Sequence, residues 1–135
     1  MNKYNKKIRV RGGFTLIELM IVMSIILILA GFMVPKFVAY KDKAKNTKAI
    51  NTAKQIQVAA MTSYSENEDE FIESSVKDSI ENYTGIKDAT PSGEGQEINV
   101  TYNSDGKNYT VTLNANTNNY TVKKGENVIF PKSSK

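Results

Sequence analysis

Arg11-Gly12-Gly13-Phe14-Thr15-Leu16-Ile17-Glu18 is the point at which the chain changes character. Residues 1–13 carry Lys3, Lys6, Lys7, Arg9 and Arg11 and no acid. Residues 14–34 are then apolar except for Thr15, Glu18, Ser24 and Gly31. As a helix that run measures roughly 31 Å, enough to cross a bilayer. The basic residues ahead of it would hold the N-terminus in the cytoplasm. A secretory signal peptide places small residues after its apolar core; here Gly12 and Gly13 precede it. A cut at the glycines therefore leaves the apolar helix with the product. Glu18 is the one charge inside the run, and a carboxylate at membrane depth costs on the order of 2.5–3.5 kcal/mol. Such a residue needs a partner.

Gly31 and Pro35 mark the outer end of the apolar run, because glycine weakens a helix and proline removes a backbone donor. The helical pattern resumes beyond them. Phe37, Tyr40, Ala44, Ala49, Ala53, Ile56, Ala60 and Tyr64 mostly recur at spacings of three and four, with one break after Ala44. Lys41, Lys43, Lys45, Lys48 and Asn51 fill positions between them, which makes an amphipathic helix with one face to bury. Joined, the two segments predict a helix of about 51 residues, roughly 75 Å long if unbroken.

Residues 66–70 are an acidic break. Phe71, Ile72, Val76, Ile80 and Tyr83 fit a short second helix, with Ser75 and Asp78 as a capping pair and Gly85 as its stop. Residues 88–95, with Pro91, Gly93 and Gly95, read as a loop. The period then becomes two: Ile98, Val100 and Tyr102, followed by Tyr109, Val111 and Leu113, flank Ser104-Asp105-Gly106 as a hairpin. Tyr120 and Val122 begin a third strand, and residues 128–130 supply a short fourth. The expected fold is α+β: a long N-terminal helix, half membrane-directed and half amphipathic, packed on a small antiparallel sheet of three to four strands.

Charge sharpens this organisation. The whole chain is formally +4. From residue 14 onward, 13 lysines face 14 acids, a net −1, and both arginines lie ahead of that point. The remainder is thus nearly neutral and no specific nucleic acid is expected as a partner. With no Cys and no His, disulfides, thiol nucleophiles, imidazole bases and zinc sites of the usual type are absent from the chemistry available.

Gly13-Phe14-Thr15-Leu16-Ile17-Glu18-Leu19, after a short basic leader and before an apolar run, resembles the processing motif of type IV prepilins. The resemblance is specific over residues 1 to about 40, and beyond that it is one of architecture, a helix followed by an antiparallel sheet. It implies a prepilin peptidase/methyltransferase that cuts after Gly13 and methylates Phe14. It also implies that Glu18 neutralises the terminal amine of an adjacent subunit during assembly, and that Gly31 and Pro35 lie where such helices melt inside a filament. Two opposite charges in a low-dielectric core attract strongly while each alone is costly, so the pair would act as a register device. The domains expected are a leader over residues 1–13, a transmembrane and polymerisation helix over 14–35 and a globular head over 36–135. The implied protein is a major pilin, a single-pass protein of the cytoplasmic membrane that becomes part of a surface pilus. Its partners would be other pilin subunits and the assembly platform and motor machinery. Two alternatives are a pseudopilin of a type II secretion or competence system and a monomeric signal-anchored surface protein; Glu18 and the Gly13-Phe14 junction speak against the latter. Many pilins close a C-terminal loop with a disulfide, which this chain lacks. Together with its high Lys and Asn content, that makes it similar to pilins of Gram-positive, low-GC bacteria such as clostridia.

Other patterns give plainer readings. The lysines of residues 36–48 suit a solvated helix face better than a site for DNA or anionic lipid. Residues 103–106 fail as a calcium loop, because an EF-type loop aligned on Gly106 needs an acid at Thr101 and a glutamate at Thr112. Tyr102, Tyr109 and Tyr120 read as strand packing residues more than as an adhesive patch. Asn-x-Thr sequons at Asn82, Asn99, Asn108 and Asn119 fit an Asn- and Thr-rich sheet. Asp42, Glu73 and Asp78 form no acid–base pair, and no phosphate loop or nucleophile elbow is present. No catalytic residue, metal ligand or cofactor site is expected, and no enzyme activity.

Overall fold

Alternation along the strands sets the core. In a computed structural model describing residues 12–132, Ile98, Val100 and Tyr102 of one strand and Tyr109, Val111 and Leu113 of the next all point inward and are buried. Their polar neighbours face outward. The strands join at Asp105-Gly106, both with positive φ, 51° and 76°, the mirror-image turn whose twist suits a two-residue hairpin. The basic leader residues Lys3, Lys6, Lys7, Arg9 and Arg11 lie outside the described residues.

The elements run α1 (Leu16–Glu66), α2 (Glu73–Thr84), β1 (Thr90–Ser92), β2 (Glu97–Ser104), β3 (Lys107–Asn114), β4 (Asn119–Lys124) and β5 (Asn127–Phe130). The sheet is antiparallel with its strands in chain order. It therefore has five strands where the sequence suggested three or four. The added one is β1, inside the stretch read as a loop: Pro91 pairs with Val100 at the sheet edge, where a residue without an N–H is tolerated. Just beyond it Gly93 adopts φ 124°, and a Cβ there would meet the Glu97 carbonyl oxygen at 3.0 Å.

The chain divides into two compact units, Met1–Tyr40 and Lys41–Lys135. In the first, every described side chain of α1 is exposed. In the second, α1 buries Ala49, Ala53, Ile56, Ala59, Ala60 and Ser63 against the inner face of the sheet. The buried face is shorter than its periodicity implied, since Ala44 is exposed, as are Phe37 and Tyr40 in the first unit. Two tyrosines mark where the sheet's reach ends. Tyr102 Oη donates to the Ala49 carbonyl at 2.7 Å, and Tyr109 Oη donates to Asn46 Oδ1 at 3.4 Å. Burial, with smaller contributions from the neighbouring phenols Tyr109 and Tyr120, pushes the Tyr102 phenol well above the usual tyrosine range, so it remains a donor.

Helix α2 starts at Glu73, and its N-cap position, Ile72, makes no side-chain cap. Ser75 and Asp78 are not the capping pair; Ser75 Oγ instead donates to Asn67 Oδ1 at 3.4 Å. The buried face is Val76, Ser79 and Ile80, with Tyr83 exposed. Phe71 is buried outside the helix, in a bridge to Gly95. Gly85 ends α2 in the left-handed conformation, φ 73°, its N–H donating to the Glu81 carbonyl, as its position suggested.

Candidate functional site

The site begins with how α1 starts. Gly12 and Gly13 precede the helix with nothing within 4 Å of a would-be Cβ, and Phe14 is almost fully exposed. The Gly13–Phe14 peptide thus lies outside regular structure, ahead of Leu16. Thr15 and Glu18 then close on each other. The Thr15 N–H donates to Glu18 Oε2 at 2.8 Å, and the Glu18 N–H donates to Thr15 Oγ1 at 3.3 Å. This reciprocal pair is a capping box, which satisfies two backbone donors at the helix start. Its Thr-x-x-Glu spacing is plain in the sequence, and it makes Glu18 a capping residue as well as an isolated charge.

Along the apolar half of α1, Ser24 Oγ donates to the Met20 carbonyl at 2.8 Å, which satisfies that hydroxyl within the helix. Thr15 is satisfied at the cap. Glu18 is left as the polar group with capacity to spare, because a carboxylate offers about four acceptor positions. A single amine brought beside it would find both charge and hydrogen-bond complementarity.

Gly31 and Pro35 are brought into one turn, because Pro35 is four residues beyond Gly31. Proline lacks the N–H that would bond the Gly31 carbonyl, and its ring crowds that same carbonyl. The helix is nevertheless continuous through both. It is one hydrogen bond short there, with a glycine at the point of crowding. This turn stands about 20 Å along the helix axis from Glu18, so the two features do not form one cluster. Among the described residues no group of three or more metal-ligating side chains is gathered.

Comparison with known proteins bears on the same end of the chain. Residues 8–34 match the family model described as the prokaryotic N-terminal methylation motif. The chain is 37% identical over 68 residues to the type IV major pilin protein PilA of Myxococcus xanthus, covering 50% of this chain and 30% of that one. It is 49% identical over 45 residues to the type II secretion system core protein G of Vibrio cholerae, covering 33% and 31%. A fimbrial protein of Pseudomonas aeruginosa is 31% identical over 96 residues, covering 70% and 62%. The matches thus span from about a third to three-fifths of the length of these relatives. No solved structure matches the chain.

Proposed function

Because the chain belongs to the type IV pilin family, we propose that it is a major pilin, the repeating subunit of a surface filament. In this reading residues 1–13 are a leader removed after Gly13 by a prepilin peptidase, which also methylates the new amine of Phe14. Residues 14–35 hold the subunit in the cytoplasmic membrane and later polymerise it, and residues 36–135 form the head. Assembly platform and motor proteins would move it from membrane to pilus. The observation that carries the proposal is the pairing of an exposed Gly13–Phe14 peptide with an apolar stretch of α1, up to Tyr40, whose side chains find no partner among the described residues.

The chemistry follows from what cutting would create. A new amine at Phe14 would lie four residues before Glu18, whose carboxylate accepts the Thr15 N–H and keeps acceptor positions to spare. An adjacent subunit, shifted along the axis, could present its amine to that carboxylate in an apolar surrounding. There both charges are costly alone and favourable together, so one stagger of neighbouring helices is preferred. The missing hydrogen bond at Gly31 and Pro35 would make that turn the first to open when the packed helices are stretched.

A pseudopilin of a secretion system is the second reading, favoured by the match over 45 residues to the Vibrio cholerae core protein G. Mass spectrometry of sheared surface filaments separates the two. A major pilin gives a chain beginning at N-methyl-Phe14 as the dominant component. A methylated chain at low abundance without long fibres would favour the pseudopilin, and an uncleaved chain confined to membranes would refute both.

A further inference from the structure

The head has two poles of opposite charge that the linear sequence scatters. At one end, residues 41–48 of α1 meet the β2–β3 and β4–β5 turns. Lys48 Nζ lies 2.6 Å from Asp105 Oδ1 and Lys107 Nζ 3.8 Å from Asp42 Oδ1. The Lys124 ammonium lies beside that of Lys107. Residues 41–48, 104–107 and 123–126 together hold seven lysines against Asp42, Asp105 and Glu126. The neighbouring Lys107 ammonium, with burial and the charge of Lys45, holds the Lys124 amine below the usual lysine range. Such crowding of ammonium groups is relieved by an incoming carboxylate.

At the other end, residues 66–73 and 93–97 contain seven acids and no lysine. Their meeting is structural: Phe71 bridges Gly95, and the Gly93 N–H donates to Glu73 Oε1 at 2.8 Å. Between them lies an open groove of about 680 Å³ with Glu70, Glu73 and Glu94 on its walls. These carboxylates do not gather as a metal-ligating set.

We propose that these poles are the two halves of one interface, so that the lysine pole of one copy, around Lys41, Lys45 and Lys124, docks on the Glu70, Glu73 and Glu94 groove of a second copy displaced along the helix axis. The proposal rests on the polymer reading above and adds to it a contact between heads. The displacement is set by the chain: Asp42 and Glu66 are about 36 Å apart along α1, so a shift of that order brings opposite poles together. Such a contact uses different patches on the two partners. It therefore does not close on itself and propagates into an open filament. A polyanion such as DNA is the weaker occupant, because the acidic pole of the same head repels it and Lys48 and Lys107 are already partly paired. An acidic surface of three carboxylates matches Lys41, Lys45 and Lys124, three of the five lysines outside those pairs.

The test uses the full-length chain in cells that make filaments. Lys45→Glu with Lys124→Glu, and separately Glu70→Lys with Glu73→Lys, should each lower the yield of sheared filaments about tenfold or more by setting like charges against each other. Combining all four should restore most of the yield. Urea unfolding of each detergent-extracted subunit should match the unaltered chain, which separates docking from folding. Because the chain has no cysteine, Lys124→Cys together with Glu73→Cys supplies a second readout: mild oxidation should give a ladder of covalent multimers, whereas either substitution alone stops at dimers. No rescue by the fourfold variant and no ladder would overturn the docking. An unaltered chain that forms no filaments would overturn the polymer reading, and the docking with it.

Discussion

From Leu16 to Tyr40 every side chain of α1 is exposed, whereas from Ala49 to Ser63 one face of the same helix is buried against a sheet. The helix does not change its backbone state between the two. What changes is the size and distribution of its side chains. The first part carries Leu, Ile, Val, Met and Phe all round, a pattern that calls for an apolar solvent or other helices. The second carries alanines and one isoleucine on a single stripe, small enough for strands to lie close. One half of α1 finds its partner inside the chain, and the other half finds none among the described residues. Under the proposed function, polymerisation and folding fall to different stretches of one element, and substitutions should separate them.

The largest separation is expected at Glu18. Glu18→Ala should abolish filaments while the methylated chain still accumulates, and the urea midpoint of the head should not move. Alanine also removes the capping box, which is worth about 1 kcal/mol at a helix start, so Glu18→Gln sharpens the test. Glutamine can keep the reciprocal hydrogen bonds with Thr15 but carries no charge. Filament loss with both variants would assign the defect to the charge. Normal filaments from Glu18→Gln would leave only the cap, and the charge-pair argument would fail.

The converse experiment is Ile56→Ala. Ile56 is the one large side chain on the buried stripe of α1, fully enclosed by the core. Truncating a buried isoleucine typically costs about 3 kcal/mol through lost transfer energy and the cavity left behind. With no Trp and seven Tyr in the chain, tyrosine fluorescence during urea unfolding in detergent reports it. The N-terminal processing state, read by mass spectrometry, should be unchanged. A cost below about 1 kcal/mol would mean that the helix is held to the sheet by its polar contacts and not by this stripe.

Much of this division was legible beforehand because it is periodic. The apolar run, the resumed helix, the β2–β3 hairpin and the stop at Gly85 each rest on local spacing or on a residue needed at positive φ. The limits of the buried stripe were not legible. Ala44 continues the helical pattern, but burial depends on how far Tyr102 and Tyr109 extend the sheet, which no spacing within α1 encodes. Strand β1 was hidden because Pro91 and Gly93 are loop residues by composition and strand residues by position at an edge. At the candidate site Glu18 stood out by its cost, while Thr15 escaped notice because a threonine at an apolar boundary looks neutral until its partner three residues on is considered. Lys107 and Lys124 lie more than fifty residues from the lysines they join, so the charged pole exists only after folding.

The smallest effect is expected where the buried stripe begins. Lys48, one residue before Ala49, bonds the Asp105 carboxylate at the tip of the β2–β3 hairpin. That hydrogen bond, with the charges of Lys48 and Lys45, holds the Asp105 carboxyl below the usual carboxylate range. A carboxyl depressed in the folded state binds its proton more readily when unfolded. The stability it contributes is therefore present above the ordinary aspartate range and lost as pH falls through the folded value. Both side chains reach solvent, so salt should screen the pair. Asp105→Asn removes the charge while keeping a residue that tolerates positive φ in the turn. Its urea midpoint should fall slightly below that of the unaltered chain at neutral pH. The two should converge as pH falls through the lowered Asp105 value, and again at neutral pH with added salt. A gap that persisted in acid would locate the effect in the turn backbone, and the start of the buried stripe would then be fixed by Tyr102 and Tyr109 alone.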